Sequence, residues 1–76
     1  MSALVESTPF RVFVEVAGGS VEMHGFATRI AAVLFVERIM AEREHCVRIT
    51  LCEDEAPIYS VVKTQSGWRE AALEAS

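Results

Sequence analysis

The sequence predicts an α+β fold, with a single helix packed on a four-stranded, mainly antiparallel sheet (ββαββ) and a short C-terminal helix. Three observations carry that expectation. Residues 10–17, FRVFVEVA, alternate apolar and polar side chains with the period of two that a half-buried strand requires. Residues 28–44 place apolar side chains at helical spacing. Residues 45–52 and 58–65 alternate again, on either side of an acidic turn.

The first strand carries Phe10, Val12, Val14 and Val16 on one face and Arg11, Phe13 and Glu15 on the other. Gly18-Gly19 follows, and glycine tolerates the positive φ angles of a two-residue hairpin loop. Such a loop pairs Val16 with Val21, Val14 with Met23 and Val12 with Gly25, matching apolar residues on one face. Thr28 is placed to cap a helix running to about residue 44. Within it, Ala32, Val33, Phe35, Val36, Ile39 and Met40 form the arc that faces the sheet. The opposite arc holds Glu37, Arg38 and Glu42, but also Ile30, Leu34, Ala27, Ala31 and Ala41, and is unusually apolar for a wet face.

The third strand, residues 45–52, turns Val47, Ile49 and Leu51 to one side. The fourth, residues 58–65, alternates Ile58, Ser60, Val62 and Thr64 against Tyr59, Val61 and Lys63. A tight turn at Asp54-Glu55 pairs Leu51 with Ile58, Ile49 with Ser60 and Val47 with Val62. Pro57 then lies beside the turn, where a missing N–H does least harm. Ser66 caps the final helix, GWREAALEA, over residues 67–75.

Seventy-six residues make one domain, 1–76, with residues 1–9 a loose lead-in. Net charge is −4, and the single Lys and six Arg form no basic stripe, so direct binding to nucleic acid or to an anionic membrane is not expected. The amino terminus lacks the positive start and long apolar stretch of a signal peptide. The longest apolar run, residues 30–36, falls far short of the roughly 20 residues that span a bilayer. The expected setting is cytoplasmic.

Glu53, Asp54 and Glu55 put three consecutive carboxylates at the turn. Neighbours on a strand point apart, and the spaced oxygen ligands and bend glycine of a calcium loop are missing, so no metal site is expected there. Cys46 and Cys52 stand six residues apart on one predicted strand. That separates their Cα atoms by about 20 Å, against the roughly 4.4–6.8 Å of a disulfide. Both are expected to be free thiols. The chain contains neither a G-x-S-x-G elbow nor a G-x-x-x-x-G-K or G-x-G-x-x-G phosphate loop. We expect no catalytic residues and no cofactor.

The sheet face away from the helix is the oddity. It is expected to carry Phe13, Phe26, Cys46, Cys52, Tyr59 and Val61 among Arg11, Glu15, Glu22, His24, Arg48 and Lys63, with Trp68 and Leu73 covering part of it. Aromatic residues and arginine set among acids suit a protein interface. In size, acidity and the passage FRVFVEVAGGSVEMHGFATRIAAVLFVERI, the chain resembles small standalone proteins of phages and mobile elements, including the anti-CRISPR inhibitors. The resemblance implies a non-enzymatic inhibitor, acting in a bacterial cytoplasm, that occludes a nucleic-acid-handling complex such as a CRISPR effector.

The expected function is therefore that of a small acidic protein-binding module. Glu53, Asp54 and Glu55, with Glu37, Glu42 and Glu44, would meet Arg or Lys on a larger protein or ribonucleoprotein complex, and Tyr59 and Phe13 would anchor it. The alternative is a homodimeric regulatory or structural domain that buries Ile30 and Leu34, or the outer sheet face, against a second copy. A thiol-dependent or other small enzyme comes third.

Overall fold

The computed structural model describes residues 8–73, and most of the expected lead-in lies outside them. Five strands and one helix follow in the order β1 (Phe10–Val16), β2 (Val21–Phe26), α1 (Arg29–Glu42), β3 (Cys46–Glu53), β4 (Ala56–Thr64) and β5 (Gly67–Glu70). The strands form one antiparallel sheet in the order β2-β1-β3-β4-β5, and α1 packs on one face of it. The α+β class and the single helix match the sequence reading. The strand number does not.

The correction falls at the C-terminal end. In place of a helix over 67–75, residues Gly67–Glu70 form the edge strand β5, residues 71–73 have no regular structure, and 74–76 lie outside the described residues. Thr64 builds the reversal: its Oγ1 accepts the Ser66 N–H at 3.1 Å and donates to the Gly67 carbonyl at 2.8 Å. Gly67 takes φ +117°, which a residue with a Cβ adopts only under strain. A helix this short is marginal alone in water, whereas the open edge of β4 offers a ready ladder.

Both hairpins are displaced by one residue from the expected register. The first is closed by the Val16 N–H donating to the Ser20 carbonyl at 2.9 Å, so the loop is Ala17-Gly18-Gly19 rather than two glycines. Glu15 consequently pairs with Val21, Phe13 with Met23 and Val12 with His24. A one-residue slip turns every side chain of β2 over. Glu22, His24 and Phe26 join the helix side, and Val21 and Met23 go to the outer face.

The second hairpin does turn at Asp54-Glu55, with Glu53 opposite Ala56 and Cys52 opposite Pro57. Beyond that the register shifts, and Leu51 faces Tyr59 while Ile49 faces Val61. Pro57 has no N–H to continue the ladder, and the bulge that leaves Ile58 over absorbs the break. Tyr59 and Val61, expected outside, therefore point toward α1. A third irregularity, at Glu15/Val16, pairs Val16 with Cys46 and leaves Val47 over. The two exchange the places expected of them: Cys46 is fully buried in the core and Val47 is exposed.

The helix follows its sequence signals closely. Thr28 Oγ1 accepts the Ala31 N–H at 3.2 Å, and Arg43 terminates the helix by donating its backbone N–H to the Ile39 carbonyl. Ala32, Val36 and Ile39 enter the core with Val12, Val14, Cys46, Ile49, Leu51 and Val61. Phe35 and Met40 pack on its margin, and Val33 of the expected inner arc stays exposed. No helix among the described residues is long and apolar enough to cross a membrane.

Candidate interaction groove

The helix sits off centre. It packs mainly on β3, β1 and β2 and lies farther from β4, whose Val61 still reaches the core beneath it. Between α1 and β4 this offset opens a groove of about 450 Å³, lined by Arg29, Val33, Glu37 and Met40 from the helix and Leu51, Ile58 and Tyr59 from the sheet, with Val36 at its floor. Arg29, Val33 and Glu37 are spaced by four, so they form one stripe along the helix. Val33 thus lies between a positive and a negative rim group.

The C-terminal end of the helix is tied down on both flanks. On one, the Trp68 indole N–H donates to the Met40 carbonyl at 3.2 Å, and the Lys63 ammonium donates to the Glu44 carbonyl at 3.4 Å while lying 5.9 Å from the Trp68 ring centre. Trp68 therefore sits on the helix side, not over the outer face as expected. Leu73 does lie beside the outer face, near Glu15, Arg48 and Ser60. On the other flank, Arg43 donates to both carboxylate oxygens of Glu22 at 3.2 Å. The guanidinium of Arg43, and then His24, holds the Glu22 carboxyl below its ordinary pKa. His24 and Phe26 both pack against Phe35, with ring centres 4.6 and 5.1 Å away.

The structure gathers only some of the residues the sequence singled out. Tyr59 and Glu37 meet in the groove. Glu53 is half-buried at the end of β3, and Asp54 and Glu55 are exposed at the turn, where they share a separate small cleft with Thr8, Pro9 and Arg11. Phe13 is half-buried on the opposite sheet face, beside Met23 and Thr50. Glu42 stands at the end of α1, 3.7 Å from Arg38. Ile30 and Leu34 are exposed on the helix, and Leu34 shares a shallow depression with Phe26, Ala31, Phe35 and Arg38. Sequence reasoning did not single out Arg29, Val33, Met40 or Ile58 as site residues. The i, i+4 stripe and the bulge-prone Pro57 were the signals that point to them.

Cys46 and Cys52 are free and buried. Burial pushes both thiols above their ordinary pKa, which disfavours the reactive thiolate. The Cys46 thiol donates to the Arg48 carbonyl at 3.7 Å. Among the described residues, no group of three or more His, Cys, Asp or Glu side chains is placed to hold a metal ion. Comparison with known proteins brings no family model, curated relative or solved structure that matches this chain.

Proposed function

We propose that this chain is a small, non-catalytic protein-binding module that grips a larger protein through the groove between α1 and β4. The observation that carries the reading is the groove itself: an apolar floor of Val36, Leu51 and Ile58, flanked by Tyr59 and rimmed by Arg29 and Glu37. An apolar side chain of the partner fills it, with a basic neighbour facing Glu37. Aromatic and aliphatic anchors held in such pockets dominate binding energy, while rim charges set orientation and encounter rate. Under the phage-inhibitor resemblance, the partner is a nucleic-acid-handling complex in a bacterial cytoplasm. Its Arg and Lys then meet Glu37 and the turn residues Glu53, Asp54 and Glu55.

The test is capture of a partner from host lysate, followed by titration of the captured protein. Val33→Glu alters an exposed groove position and leaves the core in place, so the fold should survive while affinity falls at least tenfold, about 1.4 kcal/mol. Changing Glu53, Asp54 and Glu55 together to Gln or Asn separates the turn from the groove, and any turn contribution should shrink at high salt. A Val33→Glu protein that binds the same partner as tightly as wild type would exclude the groove.

A further inference from the structure

The sheet has two open edges, and they are built differently. β5 is four residues long and ends in Arg69-Glu70. Short, charged edges of this kind are a common protection against edge-to-edge pairing. β2 is six residues long, VEMHGF, and contains no Lys, no Pro and no bulge against β1. Among the described residues, nothing pairs with its outer edge.

The most exposed apolar side chains lie on β2 itself and on the helix that follows it. Among the described residues, four large hydrophobic side chains are more than half exposed: Val21 (58%) and Met23 (54%) on β2, and Ile30 (72%) and Leu34 (59%) on α1. Val21 and Met23 flank the edge on the outer face. Leu34 shares its depression with Phe26 of β2 on the other. An unpaired backbone ladder with apolar groups on both sides is the surface a further strand would cover.

We infer that β2 is the seam of a homodimer, in which two copies join edge to edge in an antiparallel pair about a two-fold axis. Like faces must stay together across the seam, so the axis passes through a residue rather than between two. An axis through Glu22 opposes two carboxylates. An axis through His24 opposes two imidazoles and sets Glu22 against Phe26. An axis through Met23 sets Met23 against Met23, Val21 against Gly25, and Glu22 against the partner's His24 on both sides. Of the three, only this last register sets a carboxylate against an imidazole nitrogen that can hydrogen-bond it, repeating between chains the Glu22–His24 contact of 3.3 Å found within one. The two sheets become one, Met23 extends the apolar run of Phe13 across the axis, and Leu34 faces the second helix. This surface is separate from the α1–β4 groove.

The register is tested by cysteine cross-linking of the full chain. Directly opposed residues have Cα atoms about 4.5–5.5 Å apart, within the roughly 4.4–6.8 Å of a disulfide. Met23→Cys should therefore form a disulfide-linked dimer under mild oxidation. Val21→Cys should not, because two copies of that position lie about 13 Å apart along the strands. Sedimentation should show a concentration-dependent dimer of the wild type, weakened at least tenfold by Met23→Lys and by Leu34→Glu. Both positions are exposed, and circular dichroism verifies that the variants remain folded. Val33→Glu, in the groove, should leave the dimer intact. A wild type that stays monomeric at millimolar concentration, a dimer indifferent to Met23→Lys, or equal cross-linking of the two cysteine variants each overturns the inference.

Discussion

The two flanks of α1 face the same sheet and are closed in opposite ways. Toward β2, Phe35 meets the rings of His24 and Phe26, and the Arg43–Glu22 ion pair shuts the end. Toward β4, the helix offers Val33, Glu37 and Met40 to Ile58 and Tyr59, and a groove remains between them. The contents of the two hairpins explain the contrast. β2 sends two rings and a carboxylate up to the helix. β4 carries Pro57 next to its start with a bulge after it, sends Val61 into the shared core, and ties to the chain leaving the helix through the Lys63 bond to the Glu44 carbonyl, beside the Trp68 bond to Met40. One flank is built to be filled from within and the other is left for something else to fill.

Between the flanks lies a shared floor, and breaking it should outweigh any change to either side. Ile49 is fully buried at the middle of β3. Ile49→Ala removes three carbons and leaves a cavity, a change that costs about 2–5 kcal/mol in other cores. Small domains have only about 5–15 kcal/mol in total, so the variant should melt far below wild type or fail to fold at ordinary temperature. Thermal unfolding followed by far-ultraviolet circular dichroism measures this. A drop of only a few degrees would mean that the floor carries less of the stability than its burial indicates.

The next two effects sharpen the contrast on the open flank. Gly67→Ala meets open space but must hold a left-handed backbone, at a cost of about 1–2 kcal/mol. The damage should be confined to β5, so amide exchange should quicken at Trp68–Glu70 and leave β1 unchanged. Trp68→Phe keeps an aromatic ring and deletes the hydrogen bond to Met40, which should cost about 0.5–1.5 kcal/mol. If neither variant loosens the end of α1 in exchange experiments, Trp68 is not what pins that flank.

These particulars also show what could be read from the residues beforehand. The helix and its cap were legible because Thr28 and the apolar spacing act locally, within one or two turns. Strand positions were legible from alternation for the same reason. The faces of β2 and β4 were not, because Gly18-Gly19 serves a two-residue or a three-residue loop equally well, and one residue decides which side His24 and Met23 take. Pro57 reads as harmless beside the turn, and the bulge that leaves Ile58 over, which moves Leu51 opposite Tyr59, was not foreseen. GWREAALEA favours helix by composition, yet β4 had an open edge, and pairing with it overrode local preference. The groove was least legible, since it depends both on the turned-over Tyr59 and on the sideways placement of the helix, neither of which is local.

The smallest effect tests the closed flank through pH. Arg43 and His24 lower the Glu22 carboxyl pKa in the folded chain below the ordinary 4.5. A carboxylate depressed in this way stabilises the fold above its unfolded pKa and loses that contribution as pH falls through the lower, folded value. Glu22→Gln should therefore melt slightly below wild type at pH 7, and the gap should close in acid, where both chains carry a neutral group. Glu22 and Arg43 are both about 40% exposed, so salt should narrow the gap at pH 7 as well. The β2 seam adds a second signature. If Glu22 also faces the partner's His24, the gap should widen with protein concentration and be lost when Met23→Lys is introduced alongside. A gap that is the same at every concentration would confine Glu22 to the closed flank of its own chain. A gap that persists unchanged at low pH would mean that the carboxylate's charge is not what closes it.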